Sequence, residues 1–159
     1  MTPEALQGLV PRLVEVAEGD PDREVCGFLV RYGDGSREVV PVANRAGTPD
    51  APDPGEDPRH AFEVDPAAHL ALSRRLRGSG GAIEGVFHSH VDGPARLSPA
   101  DLRRAVLDGR PVLPGAWQVV LGMRSGKVLE IRAFSWNGGA FAEVAAVRTG
   151  AAPSSRPAR

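Results

Sequence analysis

Two histidines and one aspartate have the most informative spacing in this sequence. His88 and His90 lie two residues apart at the end of an apolar segment, and Asp101 follows at short range. In an extended strand, side chains at positions i and i+2 point to the same face, so both imidazoles can address one point. Two imidazole nitrogens and one carboxylate oxygen are three zinc ligands that leave a fourth position for water, as is typical of catalytic zinc. Bound zinc can lower the pKa of water to about 7 and polarise a carbonyl.

Taken singly, each fragment of this pattern has a purely structural explanation. The sequence SPAD at 98–101 is a good helix start, with Ser98 as the cap and an acid in the first turn. His88 alone fits a core histidine at the end of a strand. The combination favours a metal site, because two of only four histidines fall in it. The other two, His60 and His69, match no such pattern and are expected at the surface.

The pattern His88-Ser89-His90-x7-Ser98-x2-Asp101 resembles, position for position, the signature of the JAMM (MPN+) metalloprotease family. The segment 24–30, EVCGFLV, is similar to the early strand of that family, which begins with a glutamate. Asn44 and the segments 62–66 and 85–87 extend the resemblance over roughly residues 5–135. Val91 departs from the family, which often has proline after the second histidine, and this affects the loop beside the substrate groove.

The resemblance implies a role for each matched residue. His88, His90 and Asp101 are expected to bind Zn²⁺. Glu24 is expected to act as the general base and then to pass the proton to the leaving amine. Ser98 is expected to donate a hydrogen bond to the tetrahedral oxyanion.

The single cysteine, Cys26, excludes an internal disulfide and a zinc site built from cysteines. It is expected to be a small packed residue, since no nearby Cys/His pair is available to activate it as a nucleophile. A reducing cytoplasm is the default compartment for such a chain.

The resemblance also implies a substrate class. Members of the family cut after the C-terminal Gly-Gly of ubiquitin-like proteins, and this small chain resembles the bacterial branch that processes sulfur-carrier proteins. The alternative is a non-catalytic MPN-type protein-binding module, although all five functional positions are filled here. The carrier protein and the oligomeric state stay open.

A DNA-associated role, as in the RadC-type relatives, is the third hypothesis. Those proteins have Pro-Ser-Gly after the second histidine, whereas this chain has Val91-Asp92-Gly93. The 19 basic and 20 acidic residues give a net charge of −1, which offers no electrostatic support for a nucleic-acid partner. No apolar run approaches the length of a membrane span, and no secretory signal is evident, so we expect no membrane partner.

The length of 159 residues and an apolar content of 42% fit one compact domain, predicted at 1–148, with a disordered tail at 149–159.

The segment 44–60, with four prolines and several acids, is interpreted as a mobile, uncommitted acidic loop. Hydrophobic periodicity and turn residues predict helices at 3–18, 65–77 and 98–107, and strands at 24–32, 37–42, 61–64, 82–88, 116–123, 127–135 and 141–147. Pro11 is expected to kink the first helix or delay its start.

This order of elements predicts a mixed α/β domain with a largely antiparallel sheet between helices. The resemblance makes the expectation more specific. It implies an MPN/JAMM-like fold, a cytidine-deaminase-like arrangement in which helices flank the sheet.

Overall fold

The computed structural model describes residues 1–150, so residues 151–159 of the predicted tail lie outside it. Three helices and eight strands follow one another along this part of the chain. They are α1 (Pro3–Gly19), β1 (Cys26–Arg31), β2 (Arg37–Val42), α2 (Pro66–Arg77), β3 (Ala82–His90), α3 (Pro99–Ala105), β4 (Val106–Leu107), β5 (Arg110–Pro111), β6 (Trp117–Arg124), β7 (Lys127–Trp136) and β8 (Phe141–Arg148).

Six of the strands form one sheet in the order β2-β1-β3-β6-β7-β8. Only the central pair, β3 with β6, is parallel, and the other four pairs are antiparallel. The parallel pair needs a long crossover, and α3 with the short β4–β5 ribbon lies within it. The prediction of a mixed, largely antiparallel sheet flanked by helices is therefore confirmed.

Helix α1 covers one face of the sheet. Thr2 caps it by accepting a hydrogen bond from the Ala5 amide at 3.2 Å, and Pro3 occupies the first turn. Its apolar stripe packs on β1, β2, β3, β6 and β7 in a continuous core made of Leu6, Leu9, Leu13, Ala17, Leu29, Val39, Phe87, Trp117, Val119, Leu121, Met123, Val128, Ile131 and Ala133. Full burial of a side chain such as Leu6 or Phe87 stabilises the fold by about 1.5–3 kcal/mol.

Helix α2 packs against the opposite face. Asp65 caps it by accepting from the Ala67 amide at 3.0 Å. The second core contains Cys26, Phe28, Val30, Phe62, Leu72, Leu76 and Val86. None of the helices within residues 1–150 is long and apolar enough to cross a membrane.

Three local predictions differ from the structure. Helix α1 runs without interruption from Pro3, so Pro11 does not delay its start; one missing amide hydrogen bond is outweighed by the packed apolar stripe. The predicted strand 61–64 is reduced to a single bridge between Asn44 and Val64, because the preceding loop brings no longer partner strand alongside. Helix α3 ends at Ala105, where the chain turns into the β4–β5 ribbon.

Cys26 belongs to the second core and is fully buried. Burial raises the pKa of its thiol to about 12, and the sulfur lies 3.9 Å from the Val42 carbonyl oxygen. The prediction of a packed, unreactive cysteine therefore agrees with its surroundings.

The Cys26 thiol should be unreactive toward a thiol-specific colorimetric reagent at pH 8, because the folded protein offers neither thiolate nor access. One equivalent should react after unfolding in urea. Fast reaction of the native protein would show that the second core opens readily.

Glu84 lies at the centre of a cluster of charges near the start of the interior strand β3. Its carboxylate oxygens contact Arg31 Nε at 3.2 Å and Arg37 Nε at 2.7 Å, and its side chain is 12% exposed. Burial alone would raise the pKa of Glu84, but the hydrogen bond from Arg37, the charge of the N-terminus at 3.8 Å and the charges of both arginines lower it. The depressed pKa means that this ion pair stabilises the fold above the unfolded-state pKa of about 4.3 and is lost as the pH falls further.

Glu84→Gln should lower the free energy of unfolding by about 1–3 kcal/mol at pH 7. The difference from the wild type should shrink as the pH falls below about 4.3, because the unfolded chain then takes up a proton, and it should disappear once the native carboxyl is protonated as well. Denaturant unfolding at several pH values measures this. Glu15→Gln is the matched control, because Glu15 is 68% exposed and pairs only with Arg12 on the surface of α1. A Glu84→Gln deficit that did not change with pH would contradict the ion-pair interpretation.

Candidate metal centre

The two histidines at the end of β3 and the first turn of α3 meet at one point. His88 Nε2 and His90 Nε2 are 3.1 Å apart, and Asp101 Oδ2 is 3.3 Å from each of them. Ligand atoms about 2.0–2.2 Å from a tetrahedral zinc ion lie about 3.4 Å from one another. The three atoms are therefore spaced as three corners of such a tetrahedron, and they could hold one metal ion.

The strand and the helix start explain this convergence. His88 and His90 are alternate residues of β3 and share a face of the sheet. Ser98 and Asp101 form a capping box: the Ser98 hydroxyl oxygen accepts from the Asp101 amide at 3.1 Å, and the Ser98 amide donates to Asp101 Oδ2 at 2.7 Å. The same carboxylate that caps α3 is thereby aimed at the imidazoles.

The protonation states suit a cation. Burial lowers the pKa of His88 and keeps its ring neutral, the form that binds metal. Burial alone would also lower the pKa of His90, but its contacts with Asp101 and the Pro94 carbonyl outweigh this and raise it. Burial would raise the pKa of Asp101, yet the hydrogen bonds from both imidazoles hold it well below its usual range. Asp101 is therefore an anion. A metal ion bound beside it would take the place of the imidazole hydrogens that now face its carboxylate.

Neighbouring groups fix both rings. His90 Nδ1 lies 2.8 Å from the Pro94 carbonyl oxygen, which accepts its hydrogen and leaves Nε2 free as a ligand. The His88 ring stacks on Phe62, with ring centroids 4.2 Å apart and an angle of 20° between the planes. Phe62 thus closes the apolar side of the centre.

Sheet pairing brings Glu24 to the same place. Cys26 is opposite His88 in the antiparallel pair β1–β3, and two steps along the register Glu24 comes opposite His90. Ser89 fastens this end of the pair, because its hydroxyl accepts from the Val25 amide at 2.9 Å and its own amide donates to the Val25 carbonyl at 3.0 Å.

Glu24, His90 and Ser98 line one cavity of about 200 Å³, together with His60, Val91 and Gly93. Glu24 is 4% exposed, and its Oε2 is buried without a hydrogen-bond partner among residues 1–150. Burial raises the pKa of Glu24 to about 8. A buried carboxylate oxygen without a partner is costly in a folded protein, which suggests that water or another polar group normally occupies this cavity.

The loop 44–60 is attached to the centre at several points, so the expectation of an uncommitted loop needs correction. The Glu24 amide donates to the Pro58 carbonyl at 2.8 Å. Asn44 Nδ2 donates to the carbonyls of Glu24 and Ala61, both at 2.9 Å. Arg104 on α3 pairs with Glu56 and lies 3.6 Å from Glu63. The loop forms one wall of the site.

Four residues near the centre were missed as contributors by the sequence argument: Asn44, His60, Ser89 and Arg104. Asn44 was part of the family resemblance, but its side-chain bonds could not be read from spacing. His60 is exposed as expected, yet it lies in the wall of the Glu24 cavity. His69 is half-buried rather than at the surface, and its ring lies 5.1 Å from that of Phe28.

Comparison with known proteins places this geometry in a family. Residues 6–137 match the family described as prokaryotic homologs of the JAB domain. A desampylase of Haloferax volcanii is 30% identical over 106 residues, which are 67% of this chain and 71% of that protein.

Two solved structures share the fold. The solution structure of a protein from Desulfitobacterium hafniense is 25% identical, has a TM-score of 0.61 and covers 86% of both chains. One from Salinibacter ruber is 23% identical, has a TM-score of 0.54 and covers 90% of this chain and 88% of that chain, which shows the fold alone. The family match over most of the chain confirms the resemblance found in the sequence: this protein belongs to the JAMM family, in its prokaryotic JAB-domain branch.

Proposed function

We propose that this protein is a zinc-dependent peptidase that cleaves the bond after the C-terminal Gly-Gly of a ubiquitin-like protein of the sulfur-carrier type. The observation that carries the proposal is the triangle of His88, His90 and Asp101 beside the cavity that Glu24 lines. The similar Haloferax volcanii protein is called a desampylase, which names an isopeptidase acting on a ubiquitin-like modifier. The location in the cytoplasm, the single domain at 1–148 and the tail at 149–159 stay predictions.

In this proposal the ion is held by His88 Nε2, His90 Nε2 and Asp101 Oδ2. When bound, zinc supplies a Lewis acid that polarises the scissile carbonyl and makes water more acidic. Two imidazoles and one carboxylate leave room for a substrate group, as a catalytic site requires.

Glu24 is the proposed general base. Its unpartnered Oε2 can take a proton from the attacking water and then return it to the amine that leaves when the C–N bond breaks. Burial raises the pKa of this carboxyl to about 8, and a cation held nearby would favour the carboxylate, which is the form that accepts a proton. Its position follows from the β1–β3 pairing and needs no movement of the backbone.

Ser98 is the proposed donor to the oxyanion. Its hydroxyl oxygen already accepts the Asp101 amide as a helix cap, but a hydroxyl can accept and donate at the same time. The hydroxyl hydrogen is therefore available to stabilise the tetrahedral oxyanion, and capping does not exclude catalysis.

The wild-type protein should contain about one equivalent of zinc per chain after purification in metal-replete medium. His88→Ala should lose it, because the centre then keeps only two ligands. Elemental analysis by mass spectrometry measures the content and identifies the metal. His69→Ala is the matched control, since His69 is a half-buried histidine outside the ligand triangle, and it should retain the metal. Absence of metal from the wild type would leave the protein-binding module as the better hypothesis.

Glu24→Gln should retain zinc and lose at least about 100-fold in kcat, since a positioned general base contributes roughly that much or more. The substrate is a ubiquitin-like carrier with a short extension after Gly-Gly, and release of the extension is followed by mass spectrometry. Glu63→Gln is the control, because Glu63 is a nearby acid that pairs with Arg104 and does not line the Glu24 cavity. Full activity of Glu24→Gln would refute the assigned base.

A further inference from the structure

A second groove adjoins the proposed catalytic cavity. It has a volume of about 510 Å³ and lies between the loop 92–96 and the ends of β6, β7 and β8. Three arginines line it: Arg96, Arg124 and Arg148. Gly93 lines both this arginine groove and the cavity of Glu24 and His90, so the loop after His90 is a wall that the two share.

The register of the sheet fixes the distance between the groove and the metal centre. His90 is opposite Gly122, Gly122 is opposite Glu130, and Glu130 is opposite Arg148. Partners in register share a face, and neighbouring strands are about 4.8 Å apart, so the backbone of Arg148 lies about 14 Å from that of His90. An extended peptide spans this distance in about four residues.

Gly122 lets the loop between the two sites lie close against the sheet. A Cβ at this position would meet the Ala95 amide nitrogen at 2.7 Å and the Gly93 carbonyl oxygen at 3.1 Å. The loop after His90 therefore lies directly on the sheet at Gly122. A side chain here would lift the loop between the metal centre and the arginine groove.

The acidic residues of the groove already have hydrogen-bond and ion-pair partners, whereas its three arginines have no carboxylate partner within residues 1–150. Asp92 accepts from the Ser125 amide at 2.8 Å and from Arg59 at 3.2 Å. Glu130 accepts from the Ala95 amide at 3.3 Å and pairs with Arg132 at 3.1 Å.

Within residues 1–150, no carboxylate lies within 4.0 Å of the side-chain nitrogens of Arg96, Arg124 or Arg148. The groove therefore presents three guanidinium groups to an incoming molecule. Guanidinium groups favour carboxylates, which they can bind through two parallel hydrogen bonds.

The opposite flank of the catalytic cavity has the opposite charge. The loop 44–60 contacts Glu24 through Pro58 and exposes Asp53 and Asp57, as well as Asp50, which pairs with Arg45 at 3.5 Å. A substrate segment with negative charge is repelled there and attracted to the arginine groove. Because the acidic loop and the arginine groove carry opposite charges, they orient a substrate peptide that crosses the site.

We propose that the arginine groove binds acidic side chains of the protein substrate, located about four residues from the cleaved bond. This inference rests on the proposed function for the site of cleavage. The groove contributes to the choice of substrate and to its orientation. It does not take part in metal binding.

The test measures binding separately from cleavage. Fluorescein-labelled dodecapeptides with a central Gly-Gly carry three glutamates, or three glutamines, either at the first to third positions before the Gly-Gly or at the third to fifth positions after it. Their affinity is measured by anisotropy with full-length Glu24→Gln protein at low salt. In at least one of the two positions the glutamate peptide should bind about three- to tenfold more tightly than its glutamine match, the effect expected of two or three exposed ion pairs.

Arg96→Ser/Arg148→Ser, made in the same Glu24→Gln protein, should abolish the preference. The control is Arg74→Ser/Arg77→Ser, which removes the same charge from the exposed face of α2 and should keep it. The preference should also disappear at 0.5 M salt, because surface charges are then screened. Thermal unfolding of every variant checks that the fold is intact.

Equal affinity for glutamate and glutamine peptides in both positions would overturn the inference. So would an equal loss in the control variant, or tighter binding of an oligothymidylate than of the acidic peptides. Cleavage of a carrier without any charge preference would remove the inference alone and leave the proposed function. Charge-dependent binding to a wild-type protein that cleaves nothing would remove the proposed function alone.

Discussion

Because β1 pairs with β3 in antiparallel register, Glu24, two residues before β1, comes opposite His90 at the end of β3. A slip of one residue would turn every side chain of β1 to the opposite face and would move Glu24 out of the cavity. Ser89 opposes such a slip with two hydrogen bonds to Val25, and Asn44 ties the Glu24 carbonyl to the wall of the site. The geometry of the centre therefore depends on pairing between interior strands of the sheet, where a core covers each face.

The centre concentrates ionisable groups that are costly to bury. Glu24, His88 and Asp101 are all less than 9% exposed, and His90 is largely covered. Their mutual contacts offset only part of that cost, since Glu24 Oε2 and His88 Nδ1 have no partner among the described residues. A fold that buries these ionisable groups without full pairing is suited to binding a further polar group at the site. The spacing of the three ligand atoms suits a cation. The apolar stacking of Phe62 on His88 and the cap of α3 keep the set in place without adding further charge.

Charge is distributed unevenly around this centre, although the net charge of the chain is only −1. Arg104 holds Glu56 of the acidic loop against α3, and Arg59 connects the same loop to Asp92. The loop after His90 lies between these acids and the arginine groove. Rim charges of this kind influence the association rate and the orientation of a partner more than the affinity. A near-zero sum of charges thus conceals two flanks of opposite sign.

The sequence alone located most of the elements and the candidate metal ligands of this protein. Period-two spacing in β3, the capping sequence at 98–101 and the resemblance to the JAMM family identified the ligand candidates, and hydrophobic periodicity located the main helices and strands, because these signals are local. The tertiary structure decided what depends on contacts between distant segments: the reduction of 61–64 to one bridge, the attachment of the acidic loop through Asn44 and Arg104, and the groove of Arg96, Arg124 and Arg148. Residues 24 and 90 are far apart along the chain, and only the register of the sheet, which is set by packing on both of its faces, makes them neighbours.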